Sequence, residues 1–223
     1  AKTWLSLGNT FYARGNLEFE RNQKTSENLV NSWQCTINTV PSEAIPFYEQ
    51  ADKAYQKVID LQSHTEFATK AQLNRLSLLT DTGKFTSALQ ASKNIKLANL
   101  PLSRTKVYAQ INLARELACL NQQPQFVNQL PSWQEIDNTL KDAVDIAINL
   151  EDIRAKAYAI GNRGGLYEYL AIQNRQNKQN KFNFQDNNLK TAQKLTSEAL
   201  LLAQPSQAPS IAYQWQWQLG RLA

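Results

Sequence analysis

Apolar positions along this chain recur at helical spacing, in short stretches divided by polar turns. Trp4, Leu7, Gly8 and Phe11 stand at i, i+3, i+4 and i+7, one face of a helix. The pattern of Leu7-Gly8…Phe11 returns at Leu76…Leu79, Ala114…Leu117, Gly164…Tyr167 and Gly220…Ala223. Each of the first four is followed, after a break, by a second amphipathic segment. A recurring helix pair predicts stacked hairpins that bury a continuous core, the logic of an α-solenoid. The matched positions lie 68, 38, 50 and 56 residues apart. A period of about 34 residues with insertions in the turns accounts for these gaps.

The pattern predicts a first helix at Ala1–Ala13, with Gly15-Asn16 as its stop signal. The polar stretch from Gly15 to Pro41 is too long for an ordinary turn. It reads either as an extension of the first helix or as an ordered loop pinned by Trp33. Ser42, a candidate N-cap, opens a helix to Leu61 on which Ala44, Tyr48, Ala51, Tyr55 and Val58 share a face. Ala68–Leu79 and Phe85–Leu97 form the next pair, joined by Asp81-Thr82-Gly83-Lys84, with Ala88 and Ile95 inward and Pro101 as the stop. Ser103–Leu120 and Trp133–Leu150, the latter capped by Ser132, are the third pair. Ile153–Ile172 and Leu189–Ala203 are the fourth, separated by the Gln/Asn-rich stretch Gln173–Asn188, which reads as a disordered insertion. Ser210–Ala223 begins a fifth pair. The expected fold is an all-α, right-handed solenoid of about four and a half helix pairs, one domain over 1–223 with insertions near 16–40 and 173–188.

Composition narrows the function classes. Ala, Leu, Gln and Asn are abundant and Gly and Pro scarce, which favours helix. No run approaches the ~18 apolar residues of a membrane span, so no membrane partner is expected. The sequence shows no signal peptide and contains no Met. It ends inside a helix pattern and reads as a piece of a longer protein, which leaves the compartment open between cytoplasm and export. The net charge of +5 is spread along the chain, mildly basic but short of a nucleic-acid tail. Cys35 and Cys119 lie far apart without CxxC spacing and read as two small half-buried thiols rather than a metal site or disulfide framework.

The pattern W-x2-L-G-x2-Y, followed by Ala, aromatic and Ala on a partner helix, resembles tetratricopeptide repeats. Trp4-Leu7-Gly8-Phe11, Ala44-Tyr48-Ala51, Gly83-Lys84-Phe85 with Ala88, and Asn162, Gly164 and Tyr167 with Ala192 and Ala199 carry the likeness. Small residues there would allow close helix crossing. AQLNRLSLLTDTGKF, YAQINLAREL, AYAIGNRGGLYE, SEALLLAQ and APSIAYQWQWQLGRL resemble, in this order, the repeat region of cyanobacterial CHAT-domain proteins. That resemblance implies repeats preceding a caspase-like peptidase domain with a His–Cys dyad, a domain this sequence lacks. The chain departs from the repeat pattern at Leu76 and Ala114, which replace Gly. It departs again at Arg75 and Arg163, which replace apolar residues and imply a changed packing angle.

The resemblance implies a peptide-binding groove lined by polar residues on the first helix of each pair. Asn74, Asn112 and Asn162 occupy one repeat position, joined by Gln218; Asn9, Arg115 and Arg221 occupy a neighbouring one, with Lys70 nearby. Amides can bond both donor and acceptor of an extended backbone, and Arg can grip a carboxylate bidentately. The competing reading has these amides bonding the neighbouring repeat and shaping the wall. No catalytic residues, metal site or cofactor are expected. His64 is the only histidine, and a Cys35–His64 dyad would need chance proximity. Gly161, Gly164 and Gly165 follow no strand, so they read as packing positions and not a phosphate loop. Glu151-Asp152 reads as helix-boundary charge. Trp215 and Trp217, two apart, cannot share a helix face, and one of them is expected to pack on a following helix. The leading expectation is a non-catalytic scaffold for a protein or peptide partner, or for a peptidase domain of its own parent. The alternative is a basic nucleic-acid-binding repeat, in which Phe182 and Phe184 stack bases and Arg175, Lys178 and Lys181 hold phosphates.

Overall fold

The computed structural model describes residues 1–22, 33–35, 39–62, 65–176, 182–204 and 208–223. Among the described residues the chain forms nine α-helices packed in sequential pairs. These are α1 (Lys2–Asn22), α2 (Ile45–Leu61), α3 (Glu66–Asp81), α4 (Phe85–Ser92), α5 (Arg104–Asn121), α6 (Trp133–Asn149), α7 (Ile153–Gln176), α8 (Phe182–Ala203) and α9 (Pro209–Leu222). Short 3-10 turns occupy Leu97–Asn99 and Pro124–Gln129.

Local chemistry explains most of the boundaries. Thr65 caps α3 by accepting a hydrogen bond from the Ala68 N–H, and Ser132 caps α6 in a reciprocal box with Glu135. Helix α3 ends at Gly83, whose φ of +69° lets the Lys84 N–H turn back to the Leu79 carbonyl at 2.8 Å. Helix α6 ends the same way without glycine. Glu151 takes a φ of 54°, and the Asp152 N–H reaches the Ala147 carbonyl at 3.0 Å. Asp152 then accepts from the Ala155 N–H and opens α7, so the Glu151-Asp152 pair does mark a helix boundary.

Several expected boundaries are corrected. Gly15-Asn16 does not stop the first helix; of the two readings of the stretch that follows, extension of the helix holds as far as Asn22, with Gly15 serving a packing contact inside it. Helix α2 starts at Ile45 with no side-chain cap, and the Ser42 hydroxyl donates to Glu43. Helix α4 stops at Ser92, well before Pro101. The expected insertion at 173–188 is helical on both flanks: α7 continues to Gln176, α8 begins at Phe182, and 177–181 lie outside the described residues. Cys35 and Cys119 form a disulfide, so they are not free thiols.

The chain divides into two compact units. The first comprises Ala1–Asn28, Cys35–Pro101 and Cys119–Leu130. Its α1 and α2 run antiparallel at very close range. A Cβ added at Gly8 would lie 2.6 Å from Tyr55 Cε1, and one at Gly15 would lie 2.5 Å from Tyr48 Cε1. Each tyrosine ring therefore lies flat on the α1 backbone, and each hydroxyl donates to the asparagine that follows the glycine. Tyr55 reaches Asn9 Oδ1 at 3.0 Å and Tyr48 reaches Asn16 Oδ1 at 2.9 Å. Burial pushes the Tyr48 phenol up to about 12, with Asp81 and Glu20 adding to the shift, and raises Tyr55 as well, so both remain donors at neutral pH.

The second unit comprises Leu29–Gln34, Leu102–Ala118 and Pro131–Ala223. Its larger core cluster gathers Val107, Ile111, Ala114 and Ala118 of α5, Ile136, Leu140, Ala143 and Ala147 of α6, and Ala155, Ala159, Leu166 and Tyr169 of α7. Trp33 is buried in the same cluster, while the neighbouring residues 23–32 and 36–38, on which the reading of a pinned loop falls, lie outside the described residues. A second cluster joins α7, α8 and α9 around Trp215. That indole is 1% exposed and covers Gly161, whereas Trp217 is 49% exposed and meets Tyr213 edge-on.

Two stability outcomes follow. Gly8→Ala and Gly15→Ala would each gain up to ~1 kcal/mol of helix propensity. Each would also force a buried tyrosine aside at ~1–3 kcal/mol or more, so both should lower the urea midpoint. Glu151→Gly relieves the left-handed residue and should raise stability by about 1 kcal/mol in the same measurement.

Candidate functional site

The polar positions singled out as a groove wall fall in both units. In the first unit, Asn9 Oδ1 receives both the Tyr55 hydroxyl and the Asn74 Nδ2 donor, the latter at 2.8 Å. That bond crosses from α3 to α1, so Asn74 ties one first helix to the previous one. Lys70 pairs with Glu66 one turn earlier on α3. Tyr12 of α1 donates to Asp81 of α3, adding a second polar crossing.

In the second unit two of the corresponding amides are buried. Asn162 is 2% exposed and donates to the Tyr158 carbonyl on its own helix. Gln218, also 2% exposed, reaches from α9 to the Gly161 carbonyl at 3.2 Å and to the Thr196 hydroxyl at 2.7 Å. Arg221 grips Glu168 of α7 with two bonds, at 2.8 and 2.9 Å. Asn112 stands exposed on α5, and Arg115 on the same helix is half-buried. The structure therefore brings Asn9 together with Asn74, and Gln218 and Arg221 onto α7. It leaves Asn112 with its side chain toward solvent. For Asn74 and Gln218 the bonding to a neighbouring helix matches the competing reading of these positions.

The charged nodes of the two units were not anticipated. Arg75 of α3 bonds Asp52 of α2 at 2.6 Å. Arg163 of α7 bonds Asp137 of α6 at 2.6 and 3.3 Å, and its guanidinium lies over the Tyr167 ring. Asp137 is almost fully buried and also accepts from the Tyr167 hydroxyl at 3.1 Å and from Lys141 at 2.9 Å. These are the two arginines that stand where the repeat pattern has an apolar residue. The available signal was physical: an arginine at a core position requires a carboxylate on the helix it packs against, and each preceding helix carries one. Burial opposes the ionised form of Asp137. The Arg163 and Lys141 contacts outweigh that and hold its carboxyl below the usual carboxylate range. Asp152 is held low in the same way, with burial opposed chiefly by Arg104 and the Ala155 N–H.

Asp52, Asp137, Asp152 and Glu168 are each held by an arginine. No group of three or more potential metal ligands occurs among the described residues. Cys35 is half of a disulfide and offers no thiolate to the dyad considered with His64, which lies outside the described residues. Phe182 and Arg175 stand near the facing ends of α8 and α7, Phe184 follows in α8, and Lys178 and Lys181 lie outside the described residues. No family model matches the chain, and no curated protein is significantly similar to it.

Asp137 makes a pH-dependent outcome. Its folded pKa is depressed, so its contribution is fully present above the unfolded carboxylate value near 3.8 and is lost as pH falls through the lower folded value. Urea unfolding followed from pH 7 to pH 2 should show stability falling below about pH 4, and Asp137→Asn should flatten that fall. Asp137→Ala at pH 7 should cost about 3–5 kcal/mol, since it strands Arg163 in a largely buried position.

Proposed function

We propose that this chain is a non-catalytic protein-interaction scaffold of the tetratricopeptide type, whose hairpins stack as in a right-handed α-solenoid and bind a peptide or partner domain along their first helices. The observation that carries the reading is the order of packing. In the first unit α1 touches α3 as well as α2, and in the second α7 touches α9 as well as α8. First helix against first helix is the contact a stacked-hairpin repeat requires, and it leaves those helices side by side as a continuous surface. The resemblance to CHAT-protein repeats supports one class of partner, a caspase-like peptidase domain that this scaffold would dock and control.

The wall proposed here is more rigid than a row of free amides. Asn9 and Asn74 already bond between helices in the first unit, and Gln218 and Arg221 in the second, so within each unit they hold the shape of the first-helix face. Asn112, exposed on α5, is the position best placed to meet a ligand backbone.

A displayed-peptide selection on the immobilised chain tests the reading. Peptides recovered should bind with weak salt dependence. Asn112→Ala should weaken them by about 1 kcal/mol with the melting temperature unchanged, as expected for one exposed hydrogen bond. Asn74→Ala and Gln218→Ala should instead lower the melting temperature. Recovery of no peptide, alongside oligonucleotide binding that falls steeply with added salt, would replace this reading with the nucleic-acid one.

A further inference from the structure

The α1–α2 hairpin carries α3 on one side, marked by Asn9, Tyr12 and Asp52. Among the described residues no further helix packs on its other side. There Trp4, Leu7 and Phe11 of α1 face Gln50, Lys53, Ala54 and Lys57 of α2 across an open groove of about 280 Å³. Trp4 is 41% exposed and Leu7 36%, a large apolar investment for a surface in contact with water. Leu61, one turn beyond Lys57 on the same stripe of α2, is also exposed.

The charge of the groove is one-sided. Its lining holds two lysines and no carboxylate. Lys53 and Lys57 are both exposed, and neither forms an ion pair among the described residues. Asp60, further along α2, is bonded by Gln56. The lysines stand one helical turn apart, beside a floor whose apolar residues repeat at i, i+3 and i+7.

We propose that this groove docks an acidic amphipathic helix, its apolar stripe laid over Trp4, Leu7 and Phe11 and its flanking carboxylates set against Lys53 and Lys57. A helix is the form that fits, because the fold covers its other hairpin faces that way. In the same unit α3 lies on α1 and α2, and in the second unit α9 lies on α7 and α8. The carboxylates follow from the lysines, since a cationic rim selects its partner by opposite charge. This site belongs to the first unit and Asn112 to the second, and it stands or falls separately from the peptide-binding wall.

The probe is a synthetic amphipathic peptide with Leu along one helical face and Glu on both flanks, read by fluorescence anisotropy against the intact chain. The control carries Lys in place of Glu. The Glu peptide should bind, gain helicity on binding and weaken with added salt, and the Lys peptide should bind at least roughly tenfold more weakly. Lys53→Glu with Lys57→Glu should lower affinity for the Glu peptide about tenfold and reverse the preference between the two peptides. Trp4→Ala, at a half-exposed position, should lower affinity for both peptides by about tenfold or more while leaving the melting temperature nearly unchanged. Equal binding of the two peptides, binding indifferent to the double reversal, or binding of neither would overturn the proposal. So would a dimer in sedimentation that Trp4→Ala dissolves, which would make a second copy the occupant.

Discussion

The close approach of α1 and α2 is the constraint on which the first unit depends. Two glycines seven apart on α1 meet two tyrosines seven apart on α2 in antiparallel order: Gly8 with Tyr55 and Gly15 with Tyr48. Removing the Cβ lets each ring rest on bare backbone, which brings the helices together at two points about two turns apart. The asparagine after each glycine then accepts the phenol proton that burial would otherwise leave unpartnered. Packing and hydrogen bonding thus fix the same register. A slip of one turn would lose both tyrosine bonds and drive both rings into side chains.

The second unit uses the same device on α7, with Trp215 over Gly161 and Trp33 against Gly165, and supplements it with charge. Glu168 on α7 and Asp137 on α6 are both nearly buried, the first held by Arg221 of α9 and the second by Arg163 of α7. A buried pair of this kind adds little net stability relative to a well-packed apolar pair, but stranding one member is expensive. Its effect is therefore to penalise wrong neighbours. A hairpin that must present an arginine to a specific carboxylate cannot stack on the wrong helix cheaply.

The helical class, the number of helices and most pairings were legible because the apolar period was unambiguous. Gly83 as a left-handed terminus, Ser132 as a cap and the division of labour between Trp215 and Trp217 were legible for local reasons: backbone freedom, a hydroxyl and helical geometry. Gly15 was misread for an instructive reason. Glycine ends helices and also lets them touch, and only the partner across the contact distinguishes the two roles. Tyr48, thirty-three positions away, is that partner, and a local reading of Gly15-Asn16 cannot see it. Cys35 and Cys119 failed in the same way, since spacing along the chain says nothing about proximity after folding.

The candidate wall was legible as a set of positions but not as a set of roles. Sequence alone places polar residues at matching repeat positions, and the same amide can face a ligand or the next helix. Burial decides between these. At Gln218 the amide is enclosed beside the Gly161 carbonyl and the Thr196 hydroxyl, two groups that need a partner inside the fold. At Asn112 no such demand confines the side chain, and it stays in solvent. Two outcomes therefore coexist at one repeat position: where α9 is fastened to α7 the polar residue serves the fold, and on α5 the residue at that position faces water. In the scaffold reading proposed above, recognition would fall to few exposed groups on a stiff support, which reduces the ordering cost of binding.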